Sequence, residues 1–262
     1  MLKAIMFDLD DTLIWDEKSV DQAFKKVFGI ASQKSDVDPE ALEQRIRKNA
    51  QKLFASYDTY DFTEMIGISP FEGLWGEFDD EGESFNRLKE IAPKYRKKAW
   101  TISLQESGVD NPQLAFELAE VFKTERGKKQ FVYEETFDVL NALKGKYRLL
   151  MLTNGSPDLQ WRKLAITPGL KPYFDHIVIS GGFGKGKPNP SIMDHALGLL
   201  SVEKDEVIMV GDNPYSDILG ASRAGIPSVW INHHAADIND VRPTYEISRL
   251  KELLNVLEQI DR

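Results

Sequence analysis

Short apolar runs that stop on acidic or polar residues limit this chain more than any other feature. Ala4-Ile5-Met6-Phe7 ends on Asp8, and comparable runs stand at Leu149-Leu150-Met151-Leu152, Ile177-Val178-Ile179, Val207-Ile208-Met209-Val210 and Ser228-Val229-Trp230-Ile231. Runs of four or so residues without polar alternation read as strands covered on both faces. From Glu134 onward they alternate with helical patterns: 134–143 followed by Gly145, Asn189-Pro190 opening 192–200, 216–224 stopping at Gly225, and an amphipathic 249–260. Strand and helix in alternation predict an α/β fold built on a doubly wound parallel sheet.

Residues 17–129 break the alternation. They carry long helical patterns at 39–57, 83–107 and 112–126, with Asn111-Pro112 as a helix start, and no buried strand. Residues 57–83, rich in aromatics, Gly and Asp, fit no single element. The expected organisation is therefore a Rossmann-like core of residues 1–16 plus 130–262, interrupted after its first strand by a helical domain at 17–129.

Of 262 residues, 33 are Lys or Arg and 42 are Asp or Glu, a formal net charge of -9. Nucleic acid is an unsuitable partner for such a surface, since phosphate backbones are held by cations. A small anionic substrate would need a local Lys, Arg or metal ion. The chain has no cysteine, which excludes thiolate nucleophiles, disulfides and zinc-thiolate sites. No apolar run is long enough to span a bilayer, and the apolar stretch ended by Asp8 is too short for a signal-peptide core. A cytoplasmic protein with no membrane partner is expected; the oligomeric state is not legible.

Four constellations carry chemistry, each at the end of a strand or in a loop. Asp8-Leu9-Asp10-Asp11-Thr12 follows the first strand, where open α/β sheets place ligands. If the chain stays extended, Asp8 and Asp10 share a face. Two carboxylates about 4 Å apart repel by about 4 kcal/mol at an effective dielectric near 20, so a cation, a shared proton or hydrogen bonds must hold them. The plainer reading is a solvated turn. Gly211-Asp212 through Asp217 follows another strand, and Ser216 or Asp217 would equally serve as a helix cap. Thr153-Asn154-Gly155-Ser156 offers hydroxyl, amide and exposed backbone N–H groups to an anion, or is an ordinary turn. Gly181 to Lys187 satisfies G-x-x-x-x-G-K, but Pro188 stands where a nucleotide-binding loop needs Ser or Thr for Mg²⁺. A glycine arm delivering Lys187 to the same sheet edge is the more economical reading.

In that order these motifs resemble the haloacid dehalogenase-like hydrolase superfamily: Asp8-Leu9-Asp10-Asp11-Thr12, then Thr153-Asn154-Gly155, Lys187-Pro188, and Gly211-Asp212 through Asp217. The match covers 1 to about 15 and 130 to 235, and the helical insert sits where the family has a helical cap. The resemblance implies a Mg²⁺-dependent phosphatase acting on a small phosphorylated metabolite through an aspartyl-phosphate. Asp8 would be the nucleophile and Asp10 the general acid and base. Mg²⁺ would be held by Asp8, the Asp10 carbonyl and Asp212, with Asp217 as a ligand or as a partner of the ligands. Thr12, Thr153, Asn154 and Lys187 would bind the phosphoryl group.

A phosphomutase would use the same core. A haloacid dehalogenase would leave Asp10, Asp212 and Asp217 without a task, since halide departs without a proton or a metal. Outside enzymes, a receiver-like phospho-acceptor module also combines acids, Thr and Lys, but its acids gather after the first strand and its acceptor lies on a later one. Trp15 and the group Tyr57, Tyr60, Phe62, Phe71, Trp75 and Phe78 could line a specificity pocket, though helical spacing favours a core role. His233-His234 reads as a surface pair, and Trp161-Arg162-Lys163 as helix surface.

Overall fold

The structure, a computed structural model, describes residues 1–238 and 240–261. The strands, in chain order, are β1 (Ala4–Phe7), β2 (Ile14–Trp15), β3 (Phe131–Val132), β4 (Arg148–Thr153), β5 (His176–Ile179), β6 (Val207–Gly211), β7 (Ser228–Ile231) and β8 (Tyr245–Ile247). Six form one sheet in the order β5-β4-β1-β6-β7-β8, every pair parallel, while β2 and β3 make a separate antiparallel pair. The chain leaves β1 towards β4 and β5 and then returns to β6 on the other side. The strand order therefore reverses between β1 and β6, and the ligand crevice of an open α/β sheet lies at the carboxyl ends of two such strands.

Two compact units emerge. The first holds residues 1–16, 131–155 and 167–262; the second holds 17–130 and 156–166. In the first, β1 is wholly buried, as its unbroken apolar run requires. Ala4 and Met6 pack with Leu150, Leu152 and Met209 against Ile192, Met193 and Ala196 of the helix Pro190–Leu200. In the second, the helices Asp16–Lys34, Pro39–Phe54, Glu83–Glu106 and Pro112–Arg126 bury Phe24, Ile46, Trp100 and Phe122 in one core. Residues Ser156–Ile166 join that core through Leu159, so the helix Pro157–Ala165 belongs with the helical unit rather than with the sheet.

Helix starts follow one local grammar. Asp38-Pro39, Ser69-Pro70, Asn111-Pro112, Ser156-Pro157, Asn189-Pro190 and Asn213-Pro214 each place a side-chain acceptor before a proline. The cap satisfies an orphan N–H, and proline at the first position lacks an N–H that would otherwise go unpaired. Residues 57–83 resolve into two short helices, Tyr60–Ile66 and Pro70–Gly73, the second closed by a reciprocal Ser69/Glu72 capping box. Trp75 and Phe78 are core residues of the helical unit, and Tyr57, Tyr60, Phe62 and Phe71 pack partly buried against that core. No helix among the described residues is long and apolar enough to cross a membrane.

Candidate active site

β1 and β6 run side by side in register, Phe7 opposite Val210, and the Asp8 N–H donates to the Val210 carbonyl at 2.9 Å. Asp8 and Asp212 therefore leave the sheet next to each other at the strand-order reversal, although 204 positions part them in the chain. Asp217 lies in the short π-helix Pro214–Ile218 that follows β6, fully buried. Gly211 makes this possible: a Cβ there would come within 2.2 Å of the Asp217 Oδ2. Carboxylate oxygens of Asp8, Asp212 and Asp217 all fall within 4.8 Å of one another.

Lys187 enters from the glycine arm. Its Nζ donates to Asp8 Oδ1 at 2.6 Å and to the Leu152 carbonyl at 2.6 Å, and meets Asp217 Oδ1 at 2.7 Å. The arm is locked by Asn154, whose Oδ1 accepts the Lys187 N–H at 2.8 Å and whose Nδ2 donates to the Lys187 carbonyl at 2.8 Å. A side chain at Gly186 would collide with that amide. Thr12 Oγ1 donates to Asp212 Oδ1 at 3.2 Å, tying the first acidic loop to the last. Thr153, at the end of β4, is buried beside the same sheet edge. Asp10 is only partly buried and its backbone bridges to Ile14. All eight sequence-derived site residues thus lie in the first unit, at or just beyond the carboxyl ends of β1, β4 and β6 or on the arm after β5.

The electrostatics of the cluster are unbalanced. With all groups ionised, two buried carboxylates and the half-buried Asp212 face one ammonium and leave two negative charges in excess. Burial pushes the Asp8 carboxyl up to about 7; Lys187 opposes this, while Asp217 and Asp10 add to it. Burial, with Asp217 and Asp8 alongside, likewise holds Asp212 well above the ordinary carboxylate range against the Thr12 hydrogen bond. Burial alone would lower Lys187, but Asp217 and Asp8 reverse the sign and keep it charged. A hard divalent cation fits this donor set, because the converging ligands are carboxylate oxygens and their charge exceeds what Lys187 neutralises.

Sequence reasoning missed several residues. Ser180, directly after β5, accepts the Gly155 N–H at 2.8 Å and so fixes the Thr153-Asn154-Gly155 turn. Trp230 Nε1 donates to the Asp212 carbonyl at 2.7 Å. Asn213 accepts from the Tyr215 and Ser216 N–H groups, taking the cap role expected of Ser216 or Asp217 and leaving Asp217 for the cluster. His233 is not a plain surface residue: half-buried, it reaches the Asp11 carbonyl. Lys163 is likewise buried, within the helical unit, where it meets Glu72 at 2.9 Å. Only the Asn cap had a local signal, the proline after it.

Residues 2–225 match the family model of haloacid dehalogenase-like hydrolase. Over 231 residues the chain is 36% identical to phosphoserine phosphatase of Thermus thermophilus, covering 88% of this chain and 89% of that protein. It is 34% identical to N-acylneuraminate-9-phosphatase of Rattus norvegicus over 184 residues, 68% of this chain and 74% of the relative. Its fold is similar to that of a HAD-hydrolase from Bacillus subtilis, with a TM-score of 0.68 at 20% identity across 98% of both chains.

Proposed function

The chain belongs to the haloacid dehalogenase-like hydrolase family, and from that premise we propose that it is a phosphatase hydrolysing a small-molecule phosphate monoester with Asp8 as nucleophile. The observation that carries this reading is the meeting of Asp8, Asp212 and Asp217, with carboxylate oxygens within 4.8 Å, where the buried Lys187 pairs with Asp8 and Asp217. The phosphatase relatives, one matched over 88% of this chain, support it.

In the first step an Asp8 oxygen attacks phosphorus as the ester P–O bond breaks, and Asp10 protonates the departing alkoxide. In the second, Asp10 takes a proton from water, which attacks the aspartyl-phosphate, releases inorganic phosphate and restores Asp8. Lys187, the Thr153 hydroxyl, the Asn154 N–H and Thr12 hold the phosphoryl oxygens. Asn154 suits a backbone role because its side-chain amide is already committed to Lys187 on both sides. The partly buried position of Asp10 suits a group that must exchange protons with a leaving group and with water. Asp8, the Asp10 carbonyl and Asp212, with Asp217 as a ligand or as a partner of the ligands, would hold Mg²⁺. The ion would supply the positive charge that offsets the carboxylates and the phosphate dianion.

The helical segment 17–129, with which 156–166 forms one compact unit, would act as the family's cap and select the leaving group. Phosphoserine is the first substrate to test, given the 36% identical relative; sugar phosphates, nucleotides and flavin mononucleotide follow. A phosphate-release screen over such a panel with Mg²⁺, run beside Asp8→Asn, tests the reading. Mg²⁺-dependent release that Asp8→Asn abolishes is expected. Halide release from haloacids without metal, a phosphoryl group moved along one sugar, or self-phosphorylation without turnover would each replace it.

A further inference from the structure

The first acidic loop is under more constraint than its own sequence supplies. Asp11 has φ +55°, in the left-handed region that a non-glycine residue rarely occupies. Three long-range hydrogen bonds hold the loop there. Thr12 Oγ1 donates to Asp212, Thr136 Oγ1 donates to the Leu13 carbonyl at 2.8 Å, and His233 Nε2 lies 2.8 Å from the Asp11 carbonyl across 222 positions. A carbonyl only accepts, so Nε2 carries the proton. The Asp11 carbonyl belongs to the peptide plane that ends at the Thr12 N–H. Whatever holds it therefore sets the backbone between the Asp10 carboxylate and the Thr12 hydroxyl.

His233 is itself held from two sides. Its ring stacks on Tyr133 (centroids 4.9 Å apart, 12° between planes), and Tyr133 stacks on Trp15 (5.2 Å, 12°). Trp15 lies in β2, paired with β3, which ends just before Tyr133. On the other side, Asn232 locks the turn that carries His233. Its Oδ1 accepts the Ala236 N–H at 2.9 Å, and its Nδ2 donates to the Ala236 carbonyl and to Glu246. A histidine so fixed in ring plane and in backbone is a preorganised donor.

We propose that His233 is a positioning residue for the hydrolytic reaction, its Nε2–H holding the Asp11 carbonyl so that Asp10 and Thr12 are presented correctly. This rests on the reading of Asp8–Thr12 as the catalytic loop. His233→Phe keeps a ring for the stack and removes the donor, whereas His233→Gln keeps a side-chain N–H donor and removes the ring. Steady-state kinetics on p-nitrophenyl phosphate, Tm, and amide hydrogen exchange of the peptide spanning 8–15 are measured for both. We expect kcat to fall about 10-fold in His233→Phe, a part of the roughly 100-fold cost of a 1 Å misplacement. KM and Tm should hold, exchange should quicken, and His233→Gln should recover most of both losses. His233→Leu serves as the donorless variant if the phenylalanine protein does not fold. Wild-type kcat and exchange in the donorless variant, or equal losses in the donorless and Gln variants, would overturn the proposal. If the wild-type protein releases phosphate from no ester, the catalytic reading of the loop fails, and the exchange rates alone then decide whether His233 holds it.

Discussion

Each unit of the molecule buries charge, and the two do so differently. In the sheet unit, Asp8 and Asp217 meet Lys187 with Asp212 alongside and negative charge in excess, and Asp8 and Asp212 respond by shifting upward, Asp8 to about 7. In the helical unit, the buried Lys163 and Glu72 form a pair of matched charge at 2.9 Å, and Glu72 also accepts the Ser69 N–H at 2.9 Å. A matched pair with its remaining lone pairs satisfied is the condition under which a fold tolerates buried ions. An unmatched cluster works against the fold that contains it. A cluster of this kind marks where charge must come and go, and the matched pair marks where it stays.

The contrast is sharpest when one carboxylate is neutralised in each region. Asp8→Asn is expected to reduce phosphate release about 10³-fold or more, as loss of a nucleophile does, while leaving the Tm of chelator-treated protein unchanged or higher, because a repelling charge has gone. A lower Tm in that variant would break the comparison. Glu72→Gln should do the reverse to stability, lowering it by about 3 kcal/mol in a denaturant melt by leaving the Lys163 ammonium with less compensation. Asp10→Asn, at the rim of the unbalanced cluster, should slow alkyl phosphates about 10²-fold and p-nitrophenyl phosphate much less, since nitrophenolate departs without a proton. Equal slowing of both would remove Asp10 as the acid.

A smaller effect concerns pH. A carboxyl whose folded pKa is raised binds its proton more tightly in the folded state than in the unfolded one. Its contribution to stability is therefore lost as pH rises from about 4 towards the folded value of about 7. In chelator-treated protein, Tm should fall across this window more in the wild type than in Asp8→Asn, and Mg²⁺ should remove the difference. Parallel curves would show that Asp8 is not under strain. Smallest of all, Thr12→Val removes one part-buried hydrogen bond, 3.2 Å long, to Asp212. About 1 kcal/mol of stability is expected to go with it, measured by the same melt.

Much of the sheet unit was legible in residue order. The five apolar runs are β1 and β4 to β7, and the acids that end two of them sit side by side because β1 and β6 are neighbours. What escaped was short or distant. β2 and β3 are two residues each and β8 is three, too short for any periodicity to show. The helix expected at 39–57 stops earlier than its apolar spacing suggests, at Phe54, with Tyr57 in the turn beyond. Lys163 looked like helix surface because its partner stands 91 positions away, and His233 because the carbonyl it reaches is 222 positions away.

Local chemistry is written into neighbouring residues: an apolar run closing on an acid, a cap before a proline, a glycine at the turn after a strand. Those features specified the alternating fold and named the acids, the threonines, the amide and the lysine. Which of the charged side chains would be sealed from water, and whether each would find its counterion there, depended on residues far along the chain. The cost of a buried charge is decided by the sum of everything packed around it, and that sum exists only once the chain has folded.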